Sequence, residues 1–260
     1  MRNAYRDELN AFAHDLIVMC DGVSAIMHKA SQALLTAELQ PAEEAISLSD
    51  ELDEVRIRSE ERAVELLALE NPVAKDLRQV VSSIYIVEDL QRMGGLAKHI
   101  ANAARRRHPE PVIPDAYLGY FKEMARLVED MVTLTRDVLV DPDADVALRL
   151  TSEDDAVDDI NEHLLNVLTR REWTETTRAA VDIALLSRFY ERYADHCVNV
   201  AARVVFLITG LTPEEYLAER ESKQERADAE ARFQALERQF RRSESSARAT
   251  APSRSPSHRH

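Results

Sequence analysis

Four carboxylates in the second half of the chain have the spacing that chemistry on a helix needs. Asp154 and Asp158 are four residues apart, as are Glu191 and Asp195, and Asn199 extends the second series by four more. On a helix, residues four apart lie on one face, one turn from each other. Two such pairs facing one another offer four or more hard oxygen donors, a set suited to Fe, Mn or Mg and ill suited to Cu or structural Zn. Acids placed this way repel one another unless a positive charge lies among them. Arg188 and Arg192 flank Glu191 and are an internal source of that charge, so a solvated salt-bridge face accounts for the same spacing without a metal. His196 follows Asp195 but projects to a different side of a helix from Asn199 and adds no ligand to this row.

Other reactive constellations are missing from the sequence. There is no Gly-rich phosphate loop, and no Ser, Cys or His is placed for a nucleophilic relay. Gly94-Gly95 falls inside a helical pattern, where close helix packing or the loss of a ligand explains it better than phosphate binding does. Arg92 and Arg192 are candidates for a bound phosphate, although an arginine paired with a carboxylate is the commoner arrangement. Cys20 and Cys197, the only cysteines, are flanked by apolar helical residues and read as core fillers.

The elements that must position these residues are helices. Gly is rare, and Ala, Leu, Glu and Arg are abundant, a composition favouring helix throughout. The first helix spans about Arg6 to Leu35, with Phe12, Leu16, Met19, Val23, Ile26 and Met27 recurring every three or four residues. Pro41 opens the second, which runs to a break at Asn71-Pro72, and the third covers Val73 to about Arg107. HPEPVIPD, with three prolines, is a linker. A fourth helix follows over about Tyr117 to Val140, a fifth over Ala144 to Thr169, and a sixth that Gly210 ends as a C-cap. From Leu211 onward a charged final helix has a thin apolar seam of Phe233, Leu236 and Phe240, and SESSARATAPSRSPSHRH reads as a disordered tail.

The chain repeats itself. IVEDLQRMGGLAKHIANAARR from Ile86 matches LLSRFYERYADHCVNVAARVV from Leu185 in the register that sets Ile86 on Leu186, pairing Arg92 with Arg192, Ala97 with Cys197, Ile100 with Val200 and Ala101 with Ala201. SDELDEVRI from Ser49 likewise resembles DDAVDDINE from Asp154. The expected architecture is all-α: two tandem three-helix bundles at 1–110 and 111–215, then a helical extension and tail at 216–260.

The formal net charge of −14 argues against nucleic acid as a partner and against an anionic membrane surface. No apolar run near the N-terminus reads as a signal peptide. No uncharged segment reaches the ~20 residues that a membrane span needs. The expectation is a cytoplasmic protein.

YERYADHCVNVAARVVFLITG and NPVAKDLRQVVSSIYIVEDLQRMG resemble the paired signatures of the PhoU family of phosphate-uptake regulators, over about residues 5 to 215 and in both halves. The family's fold is two three-helix bundles, and its acid-x-x-x-Asp pairs are associated with bound metal clusters. Carried over position by position, the resemblance implies metal ligands at Asp154, Asp158, Glu191 and Asp195, with Asn199, Arg192 and Asp53 as further members. In the first half Ser49, Gln91, Gly95 and His99 replace the expected ligands and only Asp53 remains, so metal is expected in the second repeat alone. The resemblance further implies a negative regulator of phosphate uptake and starvation signalling that is not an enzyme. Its partners would be the ATPase subunit of a phosphate ABC transporter and a membrane sensor histidine kinase, with a homodimer left open. The alternative is a carboxylate-bridged metalloenzyme, which would ordinarily need histidine ligands and an open coordination position.

Overall fold

In the computed structural model, residues 2–69, 74–170 and 172–249 are described. Among them the chain forms helices and no strand: α1 (Arg2–Thr36), α2 (Leu39–Leu69), α3 (Lys75–Arg107), α4 (Asp115–Val140), α5 (Ala144–Leu168), α6 (Thr177–Thr209) and α7 (Pro213–Ala249). The first six match the expected six, with boundaries displaced by a few residues. Pro41 lies in the first turn of α2, where no intrahelical N–H bond is lost. The expected opening of α3 at Pro72 and Val73 lies outside the described residues. Gly210 caps α6 in the left-handed conformation, at φ 79°, and its N–H donates to the Phe206 carbonyl at 2.8 Å.

α1, α2 and α3 pack together, as do α4, α5 and α6. Across the repeats like pairs with like, α1 on α4 and α3 on α6, as an approximate internal two-fold would place them. The two repeats, expected from sequence as tandem three-helix bundles, share one core, and Met1–Pro213 is a single compact unit. All six apolar residues singled out on α1 are buried, and so are Cys197, Val200 and Ala201 with their repeat partners Ala97, Ile100 and Ala101. α1 is long and apolar enough to cross a membrane by composition, but it lays that apolar face into this core. Val112 and Ile113 of the proline-rich linker are also buried, so the connection is packed.

Polar contacts lock the halves. The buried hydroxyls of Ser31 and Tyr190 lie 2.8 Å apart, the Tyr193 hydroxyl donates to the Val23 carbonyl at 3.3 Å, and Arg136 pairs with Asp21 at 2.5 Å. Within the first repeat, buried Asp15 accepts from Arg58 and Arg62 at 3.1–3.3 Å.

The close packing expected at the glycine pair is met at one of the two. Gly94 is a packing residue: a Cβ there would lie 2.5 Å from Leu52 Cδ2, so α3 approaches α2 as closely as glycine permits. Its neighbour Gly95 has nothing within 4 Å of such a Cβ. The tail departs from expectation, since α7 continues to Ala249 and takes in the first seven residues of the segment expected to be disordered. Over α7 as a whole Ala, Glu and Arg dominate and Gly is lacking, which sustains a helix even where little can be buried. The rest, 250–260, lies outside the described residues. α7 belongs to a separate unit, Glu214–His260. Phe233 on its expected seam is 64% exposed, and the side chains of Leu236 and Phe240 are outside those described.

Candidate functional site

α5 and α6 are set by their ends and by the core beneath them. Asp143 caps α5, its side chain accepting from the Asp145 and Val146 N–H groups at 2.8 and 3.0 Å. Thr176 caps α6 through the Ala179 N–H at 3.1 Å. Val157 and Leu164 on α5, with Ile183, Leu186, Tyr190 and Cys197 on α6, are fully buried. Fixing those apolar faces leaves Asp154, Asp158, Glu191 and Asp195 along the edge where the two helices meet.

The acids share one electrostatic neighbourhood. Burial, then the charges of Asp158, Asp195 and Asp155, push the Asp154 carboxyl up from 3.8 to about 6. The Asp158 carboxyl is also raised, by burial and by Asp195, while the Arg188 guanidinium draws it back down. Glu191 is buried, at 7% exposure. Its Oε1 accepts a hydrogen bond from Arg188 Nη1, so of the two arginines weighed from sequence it is Arg188 that pairs with it. Its other oxygen, Oε2, is buried without a hydrogen-bond partner, and so is Asp154 Oδ1.

The further members expected from the sequence lie at the surface. Asn199 is exposed one turn beyond Asp195, and Arg192 is exposed. Asp53 is exposed on α2, 3.7 Å from Arg56 of its own helix. Arg92 likewise pairs with Glu88 of its own helix at 2.7 Å. His196 faces α3, with Nδ1 2.9 Å from Asp89 Oδ1, and so links the repeats. One residue was missed: Asn161 is buried with its Oδ1 unpartnered. Asp154, Asp158 and Asn161 follow an i, i+4, i+7 series, the signal that could have found it.

The donor chemistry fits a hard cation. The four side chains are carboxylates, two of their oxygens are buried and bare, and like charge raises two of the group. As the side chains stand, no group of three or more His, Cys, Asp or Glu among the described residues converges as a ligand set. A guanidinium lies at Glu191 instead. The equivalent edge of the first repeat carries Gln91 and Gly95, and its α2–α3 seam is closed by an ion pair, Lys98 to Asp50 at 2.8 Å.

Comparison with known proteins accords with this duplicated arrangement. The sequence profile described as the PhoU domain matches residues 16–104 and again 121–204. The chain is 46% identical over 213 residues to the phosphate-specific transport system accessory protein PhoU homolog 2 of Mycobacterium tuberculosis, covering 82% of this chain and 100% of that protein. It is 44% identical over 215 residues to the PhoU homolog 1 of Mycobacterium leprae, covering 83% and 97%. The crystal structure of PhoU from Pseudomonas aeruginosa superposes with a TM-score of 0.74 at 28% identity, over 80% of this chain and all of that one.

Proposed function

This chain belongs to the PhoU family, and from that premise we propose that it is a cytoplasmic negative regulator of phosphate uptake. In this reading it acts as a protein adaptor between the ATPase subunit of a phosphate ABC transporter and a membrane sensor histidine kinase. It acts without catalysis of its own and without nucleic acid.

The observation that carries the adaptor reading is an apolar face on α2 and α3. Ile57, Val64 and Leu67 form one exposed row and Leu77, Ile84 and Tyr85 another. Beside the second row lies a cavity of about 180 Å³ lined by Phe12, Ala63, Ile84, Tyr85, Glu60 and Glu88. Clustered exposed apolar side chains on this scale mark a protein contact. The rim carries Glu61 and Glu65, with Glu60 and Glu88 paired to Arg56 and Arg92 of their own helices, and the fitting occupant is a helix of the ATPase subunit with an apolar stripe.

Val64→Asp with Ile84→Asp tests this by calorimetric titration against the purified ATPase subunit. Both positions are exposed, so the thermal midpoint should hold while affinity falls at least about tenfold, the cost of one or two buried apolar anchors. Unchanged affinity would remove this face from the contact. Lack of binding by the wild type to the ATPase subunit and to the kinase alike would remove the adaptor reading.

The second repeat is read as holding a metal ion, Fe, Mn or Mg, on Asp154, Asp158, Glu191 and Asp195. Bound there, the ion would supply a fixed positive charge for otherwise repelling carboxylates. Elemental analysis of native protein beside Glu191→Ala, Asp195→Ala tests the assignment, with metal expected in the first and absent from the second. The metalloenzyme alternative lacks its histidines: His196 pairs with Asp89, and His163 Nε2 lies 3.0 Å from the Tyr120 hydroxyl.

A further inference from the structure

We propose that Arg188 is a built-in counter-ion of the carboxylate site, holding the cation position at Glu191 until a divalent metal ion displaces it. This rests on the metal reading of Asp154, Asp158, Glu191 and Asp195 given above.

The geometry is asymmetric in a way that points to exchange. The Glu191 side chain is only 9% exposed, whereas that of Arg188 is 53% exposed. A carboxylate this buried needs a positive partner, because an unpaired charge away from water is strongly unfavourable. Arg188, one turn earlier on α6, supplies it from the solvent side, on a long side chain whose guanidinium can return to water by rotation about its own bonds. Its field also reaches Asp158 across the helix pair, so a single guanidinium serves both rows of acids.

Arg188 is nevertheless an incomplete partner. It bonds Glu191 Oε1, while Glu191 Oε2 and Asp154 Oδ1 remain buried with no partner. A planar fork arriving from one side satisfies the oxygens it faces. A compact divalent ion gathers oxygens from several directions at once. The side chains thus stand in an arginine-neutralised arrangement, with no converged ligand set among the described residues. Loading an ion would free Arg188 into solvent on the outer face of α6 and alter the charge that face shows to a partner.

The test is a Mn²⁺ titration by calorimetry on full-length protein stripped with chelator, at one pH and low salt, for wild type, Arg188→Gln, Arg188→Lys and Asp154→Ala. Removing the competing charge should tighten Mn²⁺ binding about tenfold, the worth of one charge-assisted hydrogen bond. Arg188→Lys, which keeps the charge, should stay near wild type, and Asp154→Ala should lose binding. Thermal unfolding adds an independent readout: Arg188→Gln should melt below wild type in chelator and recover more than wild type on adding Mn²⁺. Equal or weaker Mn²⁺ binding by Arg188→Gln, with Asp154→Ala still inactive in binding, would overturn the role of Arg188 and leave the metal site standing. Absence of Mn²⁺ binding in both wild type and Arg188→Gln would overturn the metal reading and this inference with it.

Discussion

Replacing Asp154 by Asn should make the metal-free protein more stable at neutral pH, against the usual expectation for a change at a functional site. The carboxyl is raised from 3.8 to about 6 by burial and by the charges of Asp158 and Asp195. At about 1.4 kcal/mol per pKa unit, that shift corresponds to about 3 kcal/mol held against folding once the group is ionised. Asp154 is only partly buried, so screening reduces this to about 1–1.5 kcal/mol. The sign follows from proton linkage. Between 3.8 and about 6 the folded state binds the proton that the unfolded state has released, so stability falls as pH rises through that window. Asn carries no charge at any pH and escapes the loss. In urea unfolding with chelator present, Asp154→Asn should exceed wild type by about 1–1.5 kcal/mol at pH 7.5, a rise of a few degrees in Tm for a unit of this size. The two should converge below pH 4. Adding Mn²⁺ should reverse the order, because only wild type keeps the ligand. A variant no more stable at pH 7.5, or a difference independent of pH, would refute the like-charge account of this edge.

The two adjacent glycines of α3 should respond oppositely to alanine. Gly94→Ala forces a Cβ against Leu52 and should cost about 1–3 kcal/mol by overpacking, whereas Gly95→Ala meets open space and should gain about 0.5–1 kcal/mol from helix propensity; denaturant midpoints of the two variants decide it. Both thiols are fully buried, with Cys20 pushed up to about 12 and Cys197 also well above its ordinary value, chiefly by burial. Neither forms appreciable thiolate at pH 8, so labelling by a disulfide reagent should track global unfolding; rapid labelling of folded protein would show that α1 and α6 open locally.

Much of this was legible because helices announce themselves locally. The period of α1 gave six of its core residues, Gly210 gave its own cap, and the duplication gave the order of the six helices. The carboxylate rows were legible too, since i, i+4 spacing fixes a face without knowledge of the fold. What sequence spacing could not supply was the identity of the neighbour across a contact. The Arg188–Glu191 pair, by contrast, was within reach of spacing, since a residue three before Glu191 shares its helix face and Arg192, the next residue, does not. His196 seemed idle because its partner, Asp89, comes from the other repeat. The fusion of the two repeats into one unit was hidden for the same reason: Ser31 with Tyr190 and Arg136 with Asp21 are pairs more than a hundred residues apart. The length of α7 was misread because a helix that buries little is set by composition and not by an apolar stripe.

The placement of α6 bears on how one repeat's chemistry would reach the other. Glu191 and Asp195 face α5, yet the residues between and beside them face the first repeat: Tyr190 reaches Ser31, Tyr193 reaches the Val23 carbonyl, and His196 reaches Asp89. Each step around the helix alternates between the acid edge and the inter-repeat seam. A change in what neutralises Glu191 would therefore act on a rigid helix whose opposite side is packed at close-contact density against α1 and α3. α3 in turn carries Leu77, Ile84 and Tyr85 of the exposed apolar face. The carboxylate edge lies on one copy and the apolar face on the other, with α3 and α6 in direct contact between them. In such an arrangement a Mn²⁺-dependent change in affinity for the ATPase subunit should vanish when Tyr190→Phe and His196→Ala loosen the seam, even though Mn²⁺ binding itself is retained. Coupling that survived the double substitution would mean that the signal leaves the carboxylate edge through the surface of α6 and not through the shared core.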